Sequence, residues 1–456
     1  MGEATHWTRT TDNTPPVPAL ALRREVPIQN TTNPPPDAPG AETTTTYPST
    51  HNPPTQPTKM HWLLRIIRSP FLLKLPCILA LTLLLQCITT GTVPSTHLLA
   101  TLTRCAAAVL AVQTAVAVPS VLLRCELLYD LAGAGCFLLV VGLSLGGRAA
   151  GGGGEGGGGG GGYGGGDGGG DGGDGGDGGD GGGGGEWGVG RVLVEGIGRA
   201  VVRMDWGVWE EMGVDWRQGL VSAVVCVWAV RLGIFTFVRS LCRGGDSRFE
   251  PFRANPSLFF GLFMLQGVWV MFCTLPVIAL NSIPSEGFTG TGWRKPDQPS
   301  IIPGMYRRFW FWLGMWSFFR GFMIECVADW QLSKWRLDRY LKKHDEVFCG
   351  RGLWDRSRHP NYYGECLVWL GISMCCYSII ISTAGRRALG LGWFTVVVLC
   401  CITPYFVYKL LKNISIPAIE DKHDKMYMGR QDYRDWRRTW TFRLWLDGAG
   451  VLWGYA

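Results

Sequence analysis

The sequence predicts an all-α, multi-pass membrane protein in which about eight transmembrane helices form a bundle. Only 17% of its 456 residues are charged, against roughly 25% in soluble domains. Hydrophobic residues make up 46% of the chain. Apolar segments recur at about the 20 residues that a helix needs to cross a hydrocarbon core. A soluble α/β fold is disfavoured, because its buried strands would be short runs of roughly 4–8 residues.

Eight apolar segments are predicted to span the membrane. In chain order they lie near 71–91, 97–118, 125–145, 218–238, 257–281, 309–329, 364–384 and 391–411. The first contains Lys74, whose long side chain can reach the interface from a helix end. The protein is therefore expected to contact the lipid bilayer along most of its length.

The chain divides into four predicted regions. Residues 1–58, rich in Pro, Thr and Asn, cannot bury enough apolar surface to order themselves and read as a disordered tail. Residues 59–145 form a first group of transmembrane helices. Residues 146–190 are a Gly/Asp-rich flexible loop. Residues 191–456 form a second transmembrane domain.

Charge predicts the orientation of the helices. Four arginines follow the fourth span, and eight Lys or Arg residues lie between the sixth and seventh spans. Because short basic loops remain in the cytosol, both basic loops and both termini are expected to be cytosolic.

The 15 cysteines lie mostly inside apolar segments without a CxxC pair or His/Cys ligand spacing, so no metal is predicted. Nucleic acid binding has no support, since no basic helix or finger pattern occurs.

The densest group of polar residues is the run Arg358–Glu365, at the start of the seventh span. Polar side chains at a membrane boundary are costly to bury without a purpose. Pro360 suits the first turn of the helix. Asn361 and Tyr362 would then lie at its N-terminus, where backbone N–H groups favour an anion.

The preceding residues add features of a ligand site. Gly350 and Gly352 permit close approach of the backbone to a ligand, and Trp354 offers a ring for stacking. Arg356 and Arg358 suit phosphate. These features favour a phosphate-bearing aromatic ligand that approaches from the cytosol. The alternative is an interfacial helix start with snorkelling arginine and tyrosine side chains.

Two further groups could carry chemistry or structure. Glu325 and Asp329 are four residues apart and therefore share a helix face. Arg231 lies inside the fourth span, where an arginine normally faces a partner or a water-filled cavity; its candidate partners are Glu126, Asp130 and Glu325. The polar stretch after residue 414 is expected to form an amphipathic helix on the cytosolic face, folding back over the basic loop.

These motifs, in this order, resemble the steroid 5α-reductase superfamily, and most closely its largely uncharacterised branch that shares the reductase C-terminal domain. The resemblance covers roughly 120–456, interrupted by the Gly/Asp loop. It rests on the E-x-x-A-D-x-Q helix of 325–331, the Gly-Leu-Trp of 352–354, the S-R-H-P-N-Y-x-G-E string of 357–365, the W-x-x-R-L of 228–232 and the D-x-R-F of 246–249. Leu332 departs from the pattern, because relatives usually carry Lys there; Arg356 stands where an aromatic residue is usual.

The resemblance implies an NADPH site that faces the cytosol. Its implied cofactor-binding residues are Arg336, Trp354, Arg358, His359, Asn361, Tyr362 and Glu420. The implied activity is reduction of a carbon–carbon double bond in a hydrophobic lipid or sterol-like substrate. The nearest candidates for polarising or protonating that substrate are Glu126, Tyr129 and Asp130. By analogy, the endoplasmic reticulum is the expected location.

Two other functions remain open at this stage. Isoprenylcysteine and phospholipid methyltransferases share a similar helix pair and an R-H-P-x-Y string, and they use S-adenosylmethionine. Asn361, Gly364 and Glu365 favour the reductase branch over them. The third possibility is a non-catalytic membrane protein that retains the fold. The substrate and the oligomeric state do not follow from the sequence.

Overall fold

A computed structural model describes residues 70–146, 199, 212–243, 249–284, 288 and 304–439. Within these ranges the regular structure is entirely helical. The predicted tail at 1–58 and nearly all of the predicted Gly/Asp loop at 146–190 lie outside the described residues, as do the proposed domain boundaries at 59 and 191.

The helices follow one another as the apolar pattern predicts. They are α1 (Pro70–Thr90), α2 (Thr96–Leu123), α3 (Tyr129–Gly146), α4 (Trp216–Arg243), α5 (Glu250–Arg253), α6 (Pro256–Asn281), α7 (Gly304–Tyr340), α8 (Leu353–Arg356), α9 (Pro360–Ile380), α10 (Thr383–Leu389), α11 (Trp393–Leu410), α12 (Ile416–Tyr427) and α13 (Gln431–Thr439). A π-helical turn, Leu411–Ser415, joins α11 to α12.

Six of the described helices are long and apolar enough to cross a membrane. They are α2, α3, α4, α6, α9 and the continuous helix Trp393–Tyr427. The apolar part of α1 is shorter, at Lys74–Thr90. The hydrophobic pattern thus predicted a membrane-embedded helical protein correctly. A helix lies at each of the eight predicted positions, although α1 and α7 do not meet the same criteria of length and hydropathy.

Helices α7 and α9 pack with their backbones in contact, and glycines make this possible. A Cβ atom on Gly321 would lie 2.6 Å from the carbonyl oxygen of Gly364, and one on Gly314 would lie 2.7 Å from the carbonyl oxygen of Gly371. Small residues commonly allow such approach between membrane helices. Glu325 and Asp329, one and two turns beyond Gly321, are thereby brought against the first turns of α9.

An aromatic cluster fills the interior between α3, α4, α6 and α9. Phe137 contacts the rings of Trp228, Trp269 and Trp369 at centroid distances of 5.3, 5.1 and 5.5 Å. Phe137, Trp228 and Trp369 are almost completely buried. Large aromatic side chains supply much of the packing energy of such an interior. The cluster fixes α4 and α9 relative to one another directly beside the polar residues described below.

Neutral hydrogen bonds join helices at the end of the bundle away from the predicted site. At this end, Gln86 joins α1 to the start of α11 through the carbonyl of Gly390 (2.8 Å) and the hydroxyl of Thr395 (2.6 Å). At the same end, the Asn281 amide donates to the hydroxyls of Ser144 and Ser222. These contacts are neutral hydrogen bonds. The ionic groups of the predicted site are gathered at the opposite end.

Candidate functional site

The centre of the candidate site is an ionic network between α4 and α7. The guanidinium of Arg231 lies 2.6 Å from a carboxylate oxygen of Glu325 and 2.5 Å from one of Asp329. The indole N–H of Trp228 donates to the other oxygen of Glu325 at 3.0 Å. Arg231 therefore has Glu325 as a partner, which is one of the three predicted candidates. Removing one member would leave a buried charge without compensation, which is strongly unfavourable.

Helix α9 adds a further contact to this network. Pro360 occupies the first turn of α9, as predicted, and Asn361 follows it. The Asn361 amide donates to the free oxygen of Asp329 at 3.4 Å. Glu365, one turn further along α9, faces the same charges and interacts electrostatically with Glu325, Asp329 and Arg231. Two acids thus pair directly with Arg231, and a third interacts with it electrostatically.

Trp354 is anchored beneath α7 and is not open to solvent. Its indole N–H donates to the backbone carbonyl of Ala328 at 2.9 Å, and only 8% of the residue is exposed. It packs in a small satellite core with Cys349 and Leu332. Leu332, at which the sequence departs from the pattern it resembles, therefore has a packing role here. The sequence predicted that this ring contacts a cofactor, and that stays a prediction; in the described structure the ring forms part of this core.

The loop before Trp354 is held by α7 through a glycine. The backbone N–H of Leu353 donates to the Gln331 side chain at 3.0 Å. Gly352 has φ of +64°, and a Cβ on it would collide with the Gln331 amide. Glycine is the residue that takes this left-handed conformation without strain. The Gly-Leu-Trp segment and the Gln of the α7 motif are therefore direct structural partners.

A second ionic cluster lies next to the first and ties α12 to the start of α9. The Glu420 carboxylate lies 3.2 Å from Arg358, 3.1 Å from the His359 ring nitrogen Nε2 and 3.0 Å from Arg437. The His359 ring stacks on that of Tyr362, with centroids 5.5 Å apart and planes inclined by 10°. The Nε atom of Arg358 is buried and lacks a hydrogen-bond partner among the described residues.

The C-terminal segment folds back over this cluster as two helices. Arg437 of α13 also pairs with Asp424 of α12 at 2.8 Å, and the Tyr433 hydroxyl donates to Asp424 at 2.7 Å. Burial, together with this hydrogen bond, raises the pKa of Tyr433. Trp436 stacks on Phe348 with centroids 4.8 Å apart. The predicted amphipathic segment is thus confirmed as helical, and α13 closes over the loop that precedes α9.

A shallow cleft of about 190 Å³ lies beside the Gly352 loop. Its lining combines aromatic rings, charged side chains and the turn at Gly352: Trp330, Gln331, Lys334, Trp335, Asp338, His344, Cys349, Arg351 and Gly352. The Lys334 ammonium lies 5.4 Å from the centroid of the Trp330 ring, and Trp335 donates to Glu346 at 3.1 Å. Arg336, which was predicted to contact a cofactor, is exposed on the same end of α7.

The three predicted catalytic residues lie at the same end of the bundle but outside the Arg231 network. Glu126 forms an ion pair with Arg253, with a second contact of 2.8 Å from the arginine Nε. The Tyr129 hydroxyl donates to the carbonyl of Leu262 at 3.3 Å, and its ring contacts those of Phe249 and Phe263. Asp130 follows in the first turn of α3. Glu126 is therefore not the partner of Arg231.

Sequence reasoning missed several ionic partners at this end of the bundle. Arg253 was counted only as a loop charge, and Arg437 and Asp424 were not singled out. Nothing in their spacing distinguishes them from other charged residues of solvated helices. Glu365 was part of the quoted string but was given no role. The signal for it was available, because a residue four positions after Asn361 lies on the same face of a helix.

The fold and these two clusters define a polytopic helical membrane protein with an ionic site at one end of its bundle. A family model described as "Protein of unknown function (DUF1295)" matches residues 193–440, more than half of the chain, and the chain belongs to this family. No curated protein and no solved structure matches the chain. Both ionic clusters lie within the matched range.

Proposed function

We propose that this protein is a membrane-embedded, NADPH-dependent reductase of a carbon–carbon double bond in a lipid or sterol-like substrate, and that it belongs to the steroid 5α-reductase superfamily. One observation carries the proposal. Three motifs that are far apart in the sequence, at 228–232, 325–331 and 357–365, converge on the network of Arg231, Glu325, Asp329 and Asn361. Buried ionic networks of this kind within membrane helices are a sign of function.

The chemistry of the side chains suits a phosphorylated dinucleotide. Arg358 has a buried Nε without a partner among the described residues, next to the N-terminus of α9, where backbone N–H groups favour an anion. Arg336 and Arg358 would hold phosphate, and Asn361 and Tyr362 would bind at the helix start. Trp354 and His359 would shape the site from beneath. Glu420 would keep Arg358 in place by pairing with it.

The cofactor, when bound, supplies the hydride, and the protein supplies orientation, dryness and charge. Addition across a double bond also needs a proton on the neighbouring carbon. Tyr129 is the first candidate, because its hydroxyl is a donor and its ring lies against Phe249 and Phe263, an apolar setting that suits a lipid. Asp130 and Glu126 are the alternatives. General acids of this kind contribute about 10²–10⁴-fold to a rate.

The proposal includes a topology. Helices α1 and α7 would also cross the membrane, which gives eight spans with both termini in the cytosol. The ionic end of the bundle, with Lys334, Arg336 and Arg339, would then face the cytosol in agreement with the positive-inside rule. The substrate would enter sideways between helices. The endoplasmic reticulum is the proposed location, by analogy with the superfamily.

Ligand-induced stabilisation tests the proposal directly. The purified full chain is heated in detergent with NADPH, NADH or S-adenosylmethionine. A ligand at one hundred times its dissociation constant stabilises a protein by about 2.7 kcal/mol, so NADPH should raise the melting temperature most. Stabilisation by S-adenosylmethionine alone would favour a lipid or isoprenylcysteine-type methyltransferase. No response to any of the three would favour a non-catalytic membrane protein.

Two variants locate the binding site. Asn361→Ala should abolish most of the stabilisation by NADPH, whereas Asn413→Ala, at an exposed position of the π-helical turn, should retain it. Tyr362→Phe keeps the ring that stacks on His359 and should weaken binding through loss of the hydroxyl alone. Normal NADPH binding by both Asn361→Ala and Tyr362→Phe would show that the α9 start is not the cofactor site.

A further inference from the structure

One face of α7 exposes a continuous row of large apolar side chains. Each of its members is more than half exposed, and together they are called the α7 seam: Met305, Phe309, Trp312, Trp316, Phe319, Met323, Trp330, Leu337 and Tyr340. The opposite face of α7 holds Gly314 and Gly321, which pack on α9. Most of the seam therefore points away from the protein's own bundle; Trp312 lies at its edge, where its ring also stacks on that of Trp216 at the start of α4.

The seam follows a seven-residue repeat. Phe309, Trp316, Met323, Trp330 and Leu337 are each seven residues apart, and Met305, Trp312, Phe319 and Tyr340 fall on the second apolar position of the same repeat. Cys326 and Ser333 continue that second position with small side chains. A repeat with two apolar positions in seven is the pattern by which two helices pack along a left-handed seam.

Lipid cannot cover the whole of this row. Helix α7 has 37 residues, which corresponds to about 55 Å, whereas a hydrocarbon core is about 30 Å thick. Trp330, Leu337 and Tyr340 are interleaved with Lys334, Arg336 and Arg339, which mark the aqueous side of the interface. The last third of the seam therefore exposes apolar rings where acyl chains do not reach.

The exposed area is large enough for a stable contact. Nine large side chains, each more than half exposed, present on the order of 1,000 Å² when aromatic residues carry roughly 150–250 Å² each. A standard protein interface buries about 800 Å² on each partner. Two cations lie beside the row, each one helical turn after a tryptophan of the seam. Arg320 lies 5.3 Å from the centroid of the Trp316 ring, and Lys334 lies 5.4 Å from the centroid of the Trp330 ring.

We infer that the α7 seam binds a second copy of this chain, forming a twofold homodimer. Two copies inserted in the same membrane have the same orientation, so their α7 helices run parallel and each seam residue meets its own counterpart. Self-complementary pairing of this kind is what a twofold interface requires. The water-exposed third adds a hydrophobic driving force that packing between helices in lipid lacks. This inference does not depend on the proposed reductase activity.

Cross-linking in membranes tests the geometry without disturbing the fold. Both variants are made in a Cys326→Ser background, because Cys326 is a native thiol on the seam. Leu337→Cys places a thiol on the seam, and Arg339→Cys places one on the same exposed turn but off the seam. A short thiol-specific bifunctional reagent should convert most of Leu337→Cys to a species of twice the 50.1 kDa chain mass, well above the Cys326→Ser chain, and Arg339→Cys should remain at the level of Cys326→Ser. Equal yields from the two variants would overturn the seam as the contact.

The oligomeric state gives a second, independent readout. The mass of the parent chain in lipid nanodiscs should be that of a dimer, and a monomeric parent would overturn the inference. The dimer of the Phe309→Ala/Trp316→Ala variant should have a dissociation constant at least tenfold higher than that of the parent dimer. The matched control Trp393→Ala/Phe394→Ala removes the same two residue types from an exposed face of α11 and should leave the dimer intact. A dimer that survives Phe309→Ala/Trp316→Ala unchanged would show that another surface holds the copies together.

Discussion

Gly321 of α7 and Gly364 of α9 face each other so closely that a Cβ atom on either would lie within 2.7 Å of the other's carbonyl oxygen. One turn beyond Gly321 lies Glu325, whose backbone nitrogen would be 2.8 Å from a Cβ on Gly364. The two glycines thus set the distance between the motif of α7 and the motif of α9. The polar network exists at its observed spacing because neither residue has a side chain.

Gly364→Ala should therefore destabilise the protein and separate the two motifs. Overpacking of this kind costs about 1–3 kcal/mol, since the nearest atoms are backbone and cannot turn aside. Gly261→Ala is the control, because a Cβ there meets nothing within 4 Å, and replacing glycine inside a helix by alanine is favourable by about 0.5–1 kcal/mol. Thermal unfolding in detergent should show a lower melting temperature for Gly364→Ala alone. Equal stability of the two variants would mean that α7 and α9 can move apart freely.

Arg231→Met should be among the most damaging single changes in the chain. It leaves Glu325 and Asp329 buried without their cation, and removing one member of a buried pair costs about 3–5 kcal/mol. The triple variant Arg231→Met/Glu325→Gln/Asp329→Asn removes the charges together and should recover much of the lost stability. The measurement is the melting temperature of the parent, single and triple variants. A triple variant that is less stable than Arg231→Met would show that the acids are stable without the arginine.

Glu420→Gln should loosen the C-terminal helices from the start of α9. The substitution removes the charge that Arg358, His359 and Arg437 share, and hydrogen bonds to charged groups contribute about 1.5–3 kcal/mol each. Hydrogen–deuterium exchange should rise in peptides covering 431–439 and 348–359. Asp421→Asn changes the neighbouring exposed residue and should leave exchange at the parent level. Unchanged protection in Glu420→Gln would place the attachment of α13 elsewhere, with the Phe348–Trp436 stack as the first alternative.

The hydrophobic pattern predicted the positions of the six described helices that are long and apolar enough to span a membrane, but it predicted where helices end less well. The sixth segment was expected to end near 329, and α7 continues to Tyr340. Lys334, Arg336 and Arg339 terminate the apolar run without terminating the helix, because Lys and Arg are good helix formers. Hydropathy measures which residues enter lipid, and helix length depends on propensity and packing as well. The α7 seam follows from this extension.

The sequence motifs predicted which segments form the candidate site, but they did not predict which charged residues pair with one another. Arg231 was expected to pair with Glu126, Asp130 or Glu325, and the structure selects Glu325 and adds Asp329. Glu126 pairs with Arg253 because the chain before α3 lies beside α5. The partner of each charged residue depends on how neighbouring helices are aligned along their axes. The pattern of a single sequence gives no information about that alignment. Trp354 shows the same limit, since composition does not separate a ring that binds a ligand from one that packs in a small core.

Tyr433→Phe should cost about 1 kcal/mol between pH 6 and 9, because the buried hydroxyl loses its hydrogen bond to Asp424. The fold raises the pKa of Tyr433 above the value of about 10 in unfolded chains. The contribution of the hydroxyl is thus fully present below pH 10 and is lost as the pH rises further. The difference in unfolding free energy between parent and variant should accordingly be constant from pH 6 to 9 and shrink above pH 10. Tyr405→Phe, on an exposed face of α11, should match the parent throughout. A difference for Tyr433→Phe that grows above pH 10 would contradict the direction of the pKa shift.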